Sequence, residues 1–179
     1  MNPSLLRAAW AALPLTLAAC GSMGGMSAVT VPDVPPAVAV PAGNKPVLSL
    51  KGAGLLTYEC RAKDGTYAWT FVGPDATLFD TAGKPVGKYY GGPTWEHGDG
   101  SKVTGKQLAV APAGSGNIPL QLVQANPATG SGALVGVTYI QRVNTQGGIA
   151  PAAACGAQNS GTRMTVSYAA DYIFYKSAS

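Results

Sequence analysis

The sequence is poor in the side chains on which most enzymes and nucleic-acid-binding proteins rely. Of its 179 residues 11% are charged, one is histidine (His97) and three are cysteine. Charged residues make up about a quarter of an average domain, so a surface laced with ion pairs is excluded. The 12 Lys and Arg stand singly beside 8 Asp and Glu. With no basic run and no basic–aromatic interleaving, nothing marks a nucleic-acid surface. Structural zinc sites need three or four N, S or O ligands, and no second His or spare Cys exists to supply them. A CxxC pair is absent, which leaves a thioredoxin-like redox role unsupported. There is no GxSxG elbow. Gly83-Lys84 and Gly105-Lys106 lack the spacing and the following Ser or Thr of a phosphate-binding loop. The 24 Gly and 14 Pro interrupt the chain too often for long helices.

What is present begins at the N-terminus. Met1 to Ala19 carries one charge, Arg7, and an apolar run over Ala8 to Ala19. At about a dozen residues this run is too short to span a bilayer as a helix, and it reads as a signal peptide. It ends in Leu17-Ala18-Ala19-Cys20, which resembles the processing site of bacterial lipoproteins: a leucine, two small residues, then the cysteine that receives the lipid. Two or more acyl chains, at about 0.8 kcal/mol per buried CH₂, hold a protein on a bilayer where one holds marginally. Residue 21 is Gly rather than Asp, which in Gram-negative sorting points to the outer membrane. The expected location is the cell envelope, with the lipid as membrane partner.

Cys60 and Cys155 remain. An exported compartment is oxidising, so they are expected to pair; the alternative is two buried free thiols. For a loop of 95 residues, chain-entropy models give about 4 to 5 kcal/mol of stabilisation. Residues 20–46 contain Pro32, Pro35, Pro36, Pro41 and Pro46 and read as a tether with a reach of about 75 Å. The alternative there is an edge strand over Ala37 to Val40.

Residues 47–179 alternate with period two. Leu56, Tyr58, Cys60 and Ala62 share one face, Asp64-Gly65 signals a tight turn, and Tyr67, Trp69 and Phe71 share the next face. Gly73-Pro74-Asp75 reads as a turn before a short strand at Ala76 to Asp80. Further strands are expected at Val86 to Tyr90, Lys102 to Ala111, Ile118 to Ala125 and Ala133 to Asn144. The last strand places Met164, Val166, Tyr168, Ala170, Tyr172 and Phe174 on one face. About eight such strands predict an all-β fold, a single antiparallel sandwich or barrel-like domain.

Several stretches carry a resemblance to a known family. They are Tyr58-Glu59-Cys60, Tyr67-Ala68-Trp69, Gly87 through Gly100 with Trp95-Glu96 inside, Gly136 through Arg142, Asn144 through Pro151, and Cys155. In this order they resemble the domain of unknown function 3455 family. The resemblance implies no activity. A dehydrogenase label carried by some fungal members conflicts with the residues, which offer neither βαβ units nor a glycine-rich turn opening a helix.

The best ligand-site candidate is Lys88 through Gly100, which gathers Tyr90, Trp95, Glu96, His97 and Asp99 among flexible glycines. Rigid amphipathic rings beside hydrogen-bonding groups suit a glycan, a peptide or a partner protein of the envelope. Arg142, with Gln141 and Asn144, forms a second polar group on a strand. The expected function is non-enzymatic ligand or partner binding with no cofactor, no metal and no nucleic acid. The alternative is an envelope enzyme or metal-handling protein centred on Trp95, Glu96, His97 and Asp99. In cells fed radiolabelled palmitate, the wild-type chain is expected to take up label; equal labelling of Cys20→Ala refutes lipidation at Cys20.

Overall fold

The computed structural model describes residues 28–178, so the signal segment, Cys20 and Gly21 lie outside the described residues. Eight antiparallel strands follow: β1 (Asn44–Lys63), β2 (Thr66–Phe79), β3 (Pro85–Tyr90), β4 (Thr94–His97), β5 (Lys102–Ala111), β6 (Leu120–Ala125), β7 (Val137–Gly147) and β8 (Arg163–Ser177). Each pairs with the next, and β8 pairs back onto β1, closing a barrel. The all-β expectation holds, and between sandwich and barrel the chain takes the barrel. Closure removes the unpaired edges that a sandwich would have to protect.

The first hairpin forms as the sequence indicates. Asp64 (φ 50°) and Gly65 (φ 77°) both adopt the left-handed conformation that a two-residue turn between right-twisted strands requires. Gly73-Pro74-Asp75, however, does not turn the chain. β2 runs straight through it, with Thr57 opposite Gly73 and Tyr58 opposite Phe71, which leaves Val72 as the extra residue of a bulge. A bulge tolerates the missing N–H of proline and sharpens the bend of the strand. Thr94-Trp95-Glu96, between two glycine-rich breaks, is itself a strand. β1 begins at Asn44 and is long enough to pair along Lys51–Lys63 with β2 and along Asn44–Glu59 with β8.

Alternate residues fill the barrel. Leu50, Leu56, Leu78, Trp95, Val103, Ile140, Tyr172 and Phe174 are all buried in one cluster. Gly52 leaves room for the Tyr172 ring, since a Cβ there would lie 2.6 Å from it. In an up-and-down barrel the turns alternate between two ends. The lower end is closed by the 126–136 loop, which inserts the fully buried Leu134. The upper end carries the first hairpin and the long β7–β8 loop. These are joined by the Cys60–Cys155 disulfide, with Cα atoms 5.5 Å apart, so the expected pairing is present. Trp69 Nε1 donates to Ala153 O at 2.7 Å, and Gly161 N donates to Cys60 O, fastening the same loop to the hairpin.

Residues 28–43 do not hang free, nor do they add a strand. They form a strap on the outer wall, with a single 3₁₀ turn at Pro36–Val38. Val38 is buried against Ala111 and Leu122, while Val29, Val34 and Val40 pack against Val143, Ile173, Tyr175 and Tyr139. One polar residue of that wall holds the strap in place: Gln141 is 1% exposed, its Nε2 donating to Val38 O at 2.7 Å and its Oε1 accepting from Tyr175 OH at 2.9 Å. Removing one partner from buried polar groups costs about 1–3 kcal/mol for each group left unpaired. Gln141→Ala is therefore expected to lower stability by about 2–4 kcal/mol in urea unfolding; a change below about 0.5 kcal/mol would show that the strap is not held through this side chain.

Candidate functional site

The barrel divides the polar cluster of residues 88–100 among three environments. β3 rises to the Gly91–Pro93 turn at the upper end, and β4 descends to the Gly98–Ser101 turn at the lower end. On these strands Tyr89 and Trp95 point inward, so Tyr90 and Glu96 point outward. Tyr90 OH donates to Glu96 Oε2 at 2.8 Å, and Lys102 Nζ lies 3.1 Å from the same oxygen. The Tyr90 hydroxyl and the Lys102 ammonium hold the Glu96 carboxyl below its usual range. This is a small ion-paired cluster on the outer wall.

Trp95 lies in the core. It is fully buried, stacked on Tyr89 with ring centroids 4.7 Å apart and edge-on to Tyr172 and Phe174. Its Nε1 has no hydrogen-bond partner among the described residues. The glycines around it made the aromatics look like a binding loop, when they are turns flanking two short core strands.

His97 and Asp99 serve the lower end. The Asp99 Oδ1 atom accepts from Ser101 N at 2.9 Å and Ser101 Oγ at 2.6 Å, and its Oδ2 accepts from Ala133 N at 2.7 Å. His97 Nδ1 lies 2.9 Å from Oδ2. Leu134 N donates to Ser101 Oγ at 3.2 Å, and Ser101 is fully buried. These bonds fix the loop that carries the Leu134 plug. The Ser101 hydroxyl first, then the Ala133 and Ser101 amides, hold the Asp99 carboxyl far below its usual range, with burial opposing. Glu59, another acid in reach of basic groups, is bracketed by Arg61 and Arg163 at 2.8 and 2.7 Å and drawn down to about 2. Among the described residues no group of three or more His, Cys, Asp or Glu side chains could hold a metal.

Arg142 lies apart from all of these. It alternates with the buried Ile140 on β7 and stands between Gln121 of β6 and Tyr172 of β8, on the inner face of the barrel. Together with Phe71, Val72, Pro74, Tyr89, Pro93, Gln107 and Gln121 it lines a cavity of about 330 Å³ at the upper mouth. Its Nε and Nη2 donate to Pro119 O at 3.2 and 2.9 Å, and no carboxylate pairs with it among the described residues. The hydroxyls of Tyr58, Tyr89, Tyr168 and Tyr172 are all pushed up by burial, and in each case the positive charge of Arg142 offsets part of that rise. Tyr58 OH donates to Gly148 O, and Tyr168 OH meets Tyr172 OH at 3.2 Å. A larger depression, about 540 Å³, lies on the outer wall around Ser49, Lys51, Phe79 and Asp171. It is wider open to solvent, and its Lys51 stands with the acids Asp80 and Asp171, so the more enclosed mouth is the better candidate.

The structure thus places Arg142 on the wall of the mouth cavity and separates it from Tyr90, Trp95, Glu96, His97 and Asp99. The same wall takes in Tyr89, which lies within the Lys88–Gly100 stretch, and Phe71, Gln107 and Gln121, which the sequence did not single out. The signal for them was parity: each sits on the inward register of its strand beside a glycine or a turn.

The depressed Asp99 carboxyl stabilises the fold while it is ionised. Its contribution is present above the ordinary carboxylate range near pH 4 and fades as pH falls below it. Asp99→Asn, which mimics the protonated state, is expected to melt below the wild type at pH 7 and to converge with it on acidification. A gap that stays constant from pH 7 to pH 2.5 contradicts this role.

Residues 41–176 match the family model described as protein of unknown function (DUF3455), a span that covers the barrel except for the last residue of β8. No curated protein and no solved structure matches the chain. A closed barrel with a glycine-rich β3–β4 hairpin and a Cys60–Cys155 clasp is thus the form that this sequence pattern takes, and the chain belongs to the DUF3455 family of proteins of unknown function.

Proposed function

We propose that this chain is a lipid-anchored binding protein of the cell envelope that takes a small ligand into the mouth of its barrel. The observation that carries this reading is the mouth cavity itself. An eight-stranded barrel is just wide enough to be filled by side chains or to hold one small ligand. Here the lower half is filled and plugged by Leu134, while the upper half opens into about 330 Å³. That volume falls within the range of small-molecule sites, and the lining mixes aromatic and apolar surface with a few converging polar groups. Binding rather than chemistry is supported by the engagement of the acid–base groups elsewhere: His97 and Asp99 brace the lower loop, and Glu59 and Glu96 are held by cations. The Leu17–Cys20 motif supports the anchor, and Gly21 favours the outer membrane in a Gram-negative cell.

Two fluorescent probes test the cavity, anilinonaphthalene sulfonate and its uncharged counterpart phenylnaphthylamine. At least one is expected to bind at one equivalent with a blue-shifted emission. Gln107→Trp, which places a bulky ring at the solvent-exposed rim, is expected to abolish that binding while leaving the far-ultraviolet dichroism unchanged. If neither probe binds the wild type, or if Gln107→Trp binds as well as the wild type, the mouth is not a ligand site.

A further inference from the structure

Resting on the mouth-binding reading, we infer that the ligand is a small organic anion: a carboxylate, sulfonate or phosphate head received by Arg142, carried on an apolar or aromatic body that lies against the rim. Three observations converge on this.

The first is the state of Arg142. A guanidinium has five N–H donors and is permanently charged. Two of its donors reach Pro119 O, and the remaining three have no protein acceptor among the described residues. Where the described residues do pair a guanidinium with a carboxylate, as Arg61 and Arg163 pair with Glu59, the acid lies within 2.8 Å. Arg142, placed half-buried on the inner face, has no such partner. A cation removed from bulk water without a counter-charge is costly, and an arriving anion supplies the missing charge. Its planar fork suits two oxygens of a carboxylate, sulfonate or phosphate.

The second is the company Arg142 keeps. Gln121 Nε2 donates to Gln107 Oε1, which leaves the Gln107 NH₂ as a donor and Gln121 Oε1 as an acceptor on the lining residues. Among the described residues no Asp or Glu lines the cavity. The one full charge on the wall is therefore positive, and no carboxylate opposes a negative head.

The third is the apolar rim. Phe71 is 49% exposed and Val72 is 37% exposed, both at the bulge in β2, with Pro74 and Pro93 beside them on the cavity wall. Large apolar side chains held at a bulge and facing a cavity are a surface for a second apolar body. At about 30 Å³ for each water displaced, the cavity has room for a ring or two with its head group. A fully hydrophilic anion would leave this rim unused.

The two probes share one aromatic body and differ in the sulfonate, so they separate the class of ligand from the existence of a site. The wild type is expected to bind anilinonaphthalene sulfonate at least tenfold more tightly than phenylnaphthylamine. Arg142→Gln should weaken the sulfonate at least tenfold and change phenylnaphthylamine less than twofold, and Arg142→Lys should restore part of the loss. On wild-type protein, raising NaCl from about 50 to 500 mM should weaken the sulfonate alone, because screening acts on the charged contact; this arm stands even if the Arg142 variants fold poorly. Equal binding of both probes, or sulfonate binding indifferent to Arg142 and to salt, overturns the anion assignment while leaving a neutral binding barrel in place. Binding of neither probe overturns both readings.

Discussion

Everything in this molecule depends on β8 returning to pair with β1. Asn44–Glu59 against Arg163–Ser177 is the longest ladder in the sheet, and it joins the first strand to the last across most of the chain. Once that ladder forms, each strand has one face turned into a confined space and one turned out. The inward residues must then fill a fixed cross-section, which is why Gly52 yields to the Tyr172 ring and why Trp95 is stacked rather than displayed. Non-local pairing of this kind is entropically demanding to form. The Cys60–Cys155 bond, which ties the hairpin of β1 to the loop before β8, draws those two distant segments together.

Closure also sorts the scarce polar groups. Those at the lower end, Asp99 and Ser101, satisfy the backbone of the loop that carries the plug. Gln141, on the outer wall, satisfies the backbone of the strap. Arg142 is the next residue along the same strand and therefore faces the opposite way. A shift of one position would exchange their places, putting a charge under the strap and an amide in the mouth. The two neighbours illustrate how a β-strand assigns unlike tasks to adjacent residues.

The sequence made some elements plain and hid others for identifiable reasons. The first hairpin was legible because Asp64-Gly65 specifies both the turn and the register, and β8 because six inward residues alternate without fault. Gly73-Pro74-Asp75 misled because proline and glycine mark bulges as well as turns, and sequence alone does not say which. The strap was hidden because prolines suit a bound extended segment as well as a free one; Gln141, a polar residue on an otherwise apolar face, was the trace of it. Of the six candidate residues named from sequence, Arg142 alone lines the mouth cavity. Arg142 was noted on a strand with no indication of which wall it faced, and that required knowing that the sheet closes. Tyr90, Trp95, Glu96, His97 and Asp99 are adjacent in sequence, but strand alternation and barrel height disperse them.

The strap also gives the barrel wall a removable cover. Val29, Val34, Val38 and Val40 lie over Leu122, Val143, Ile173 and Tyr175, apolar side chains that a barrel shorn of residues 28–43 would turn to water. Contiguous apolar surface of that kind invites self-association. The segment ahead of the first strand thus does for the outside of the barrel what Leu134 does for its lower end.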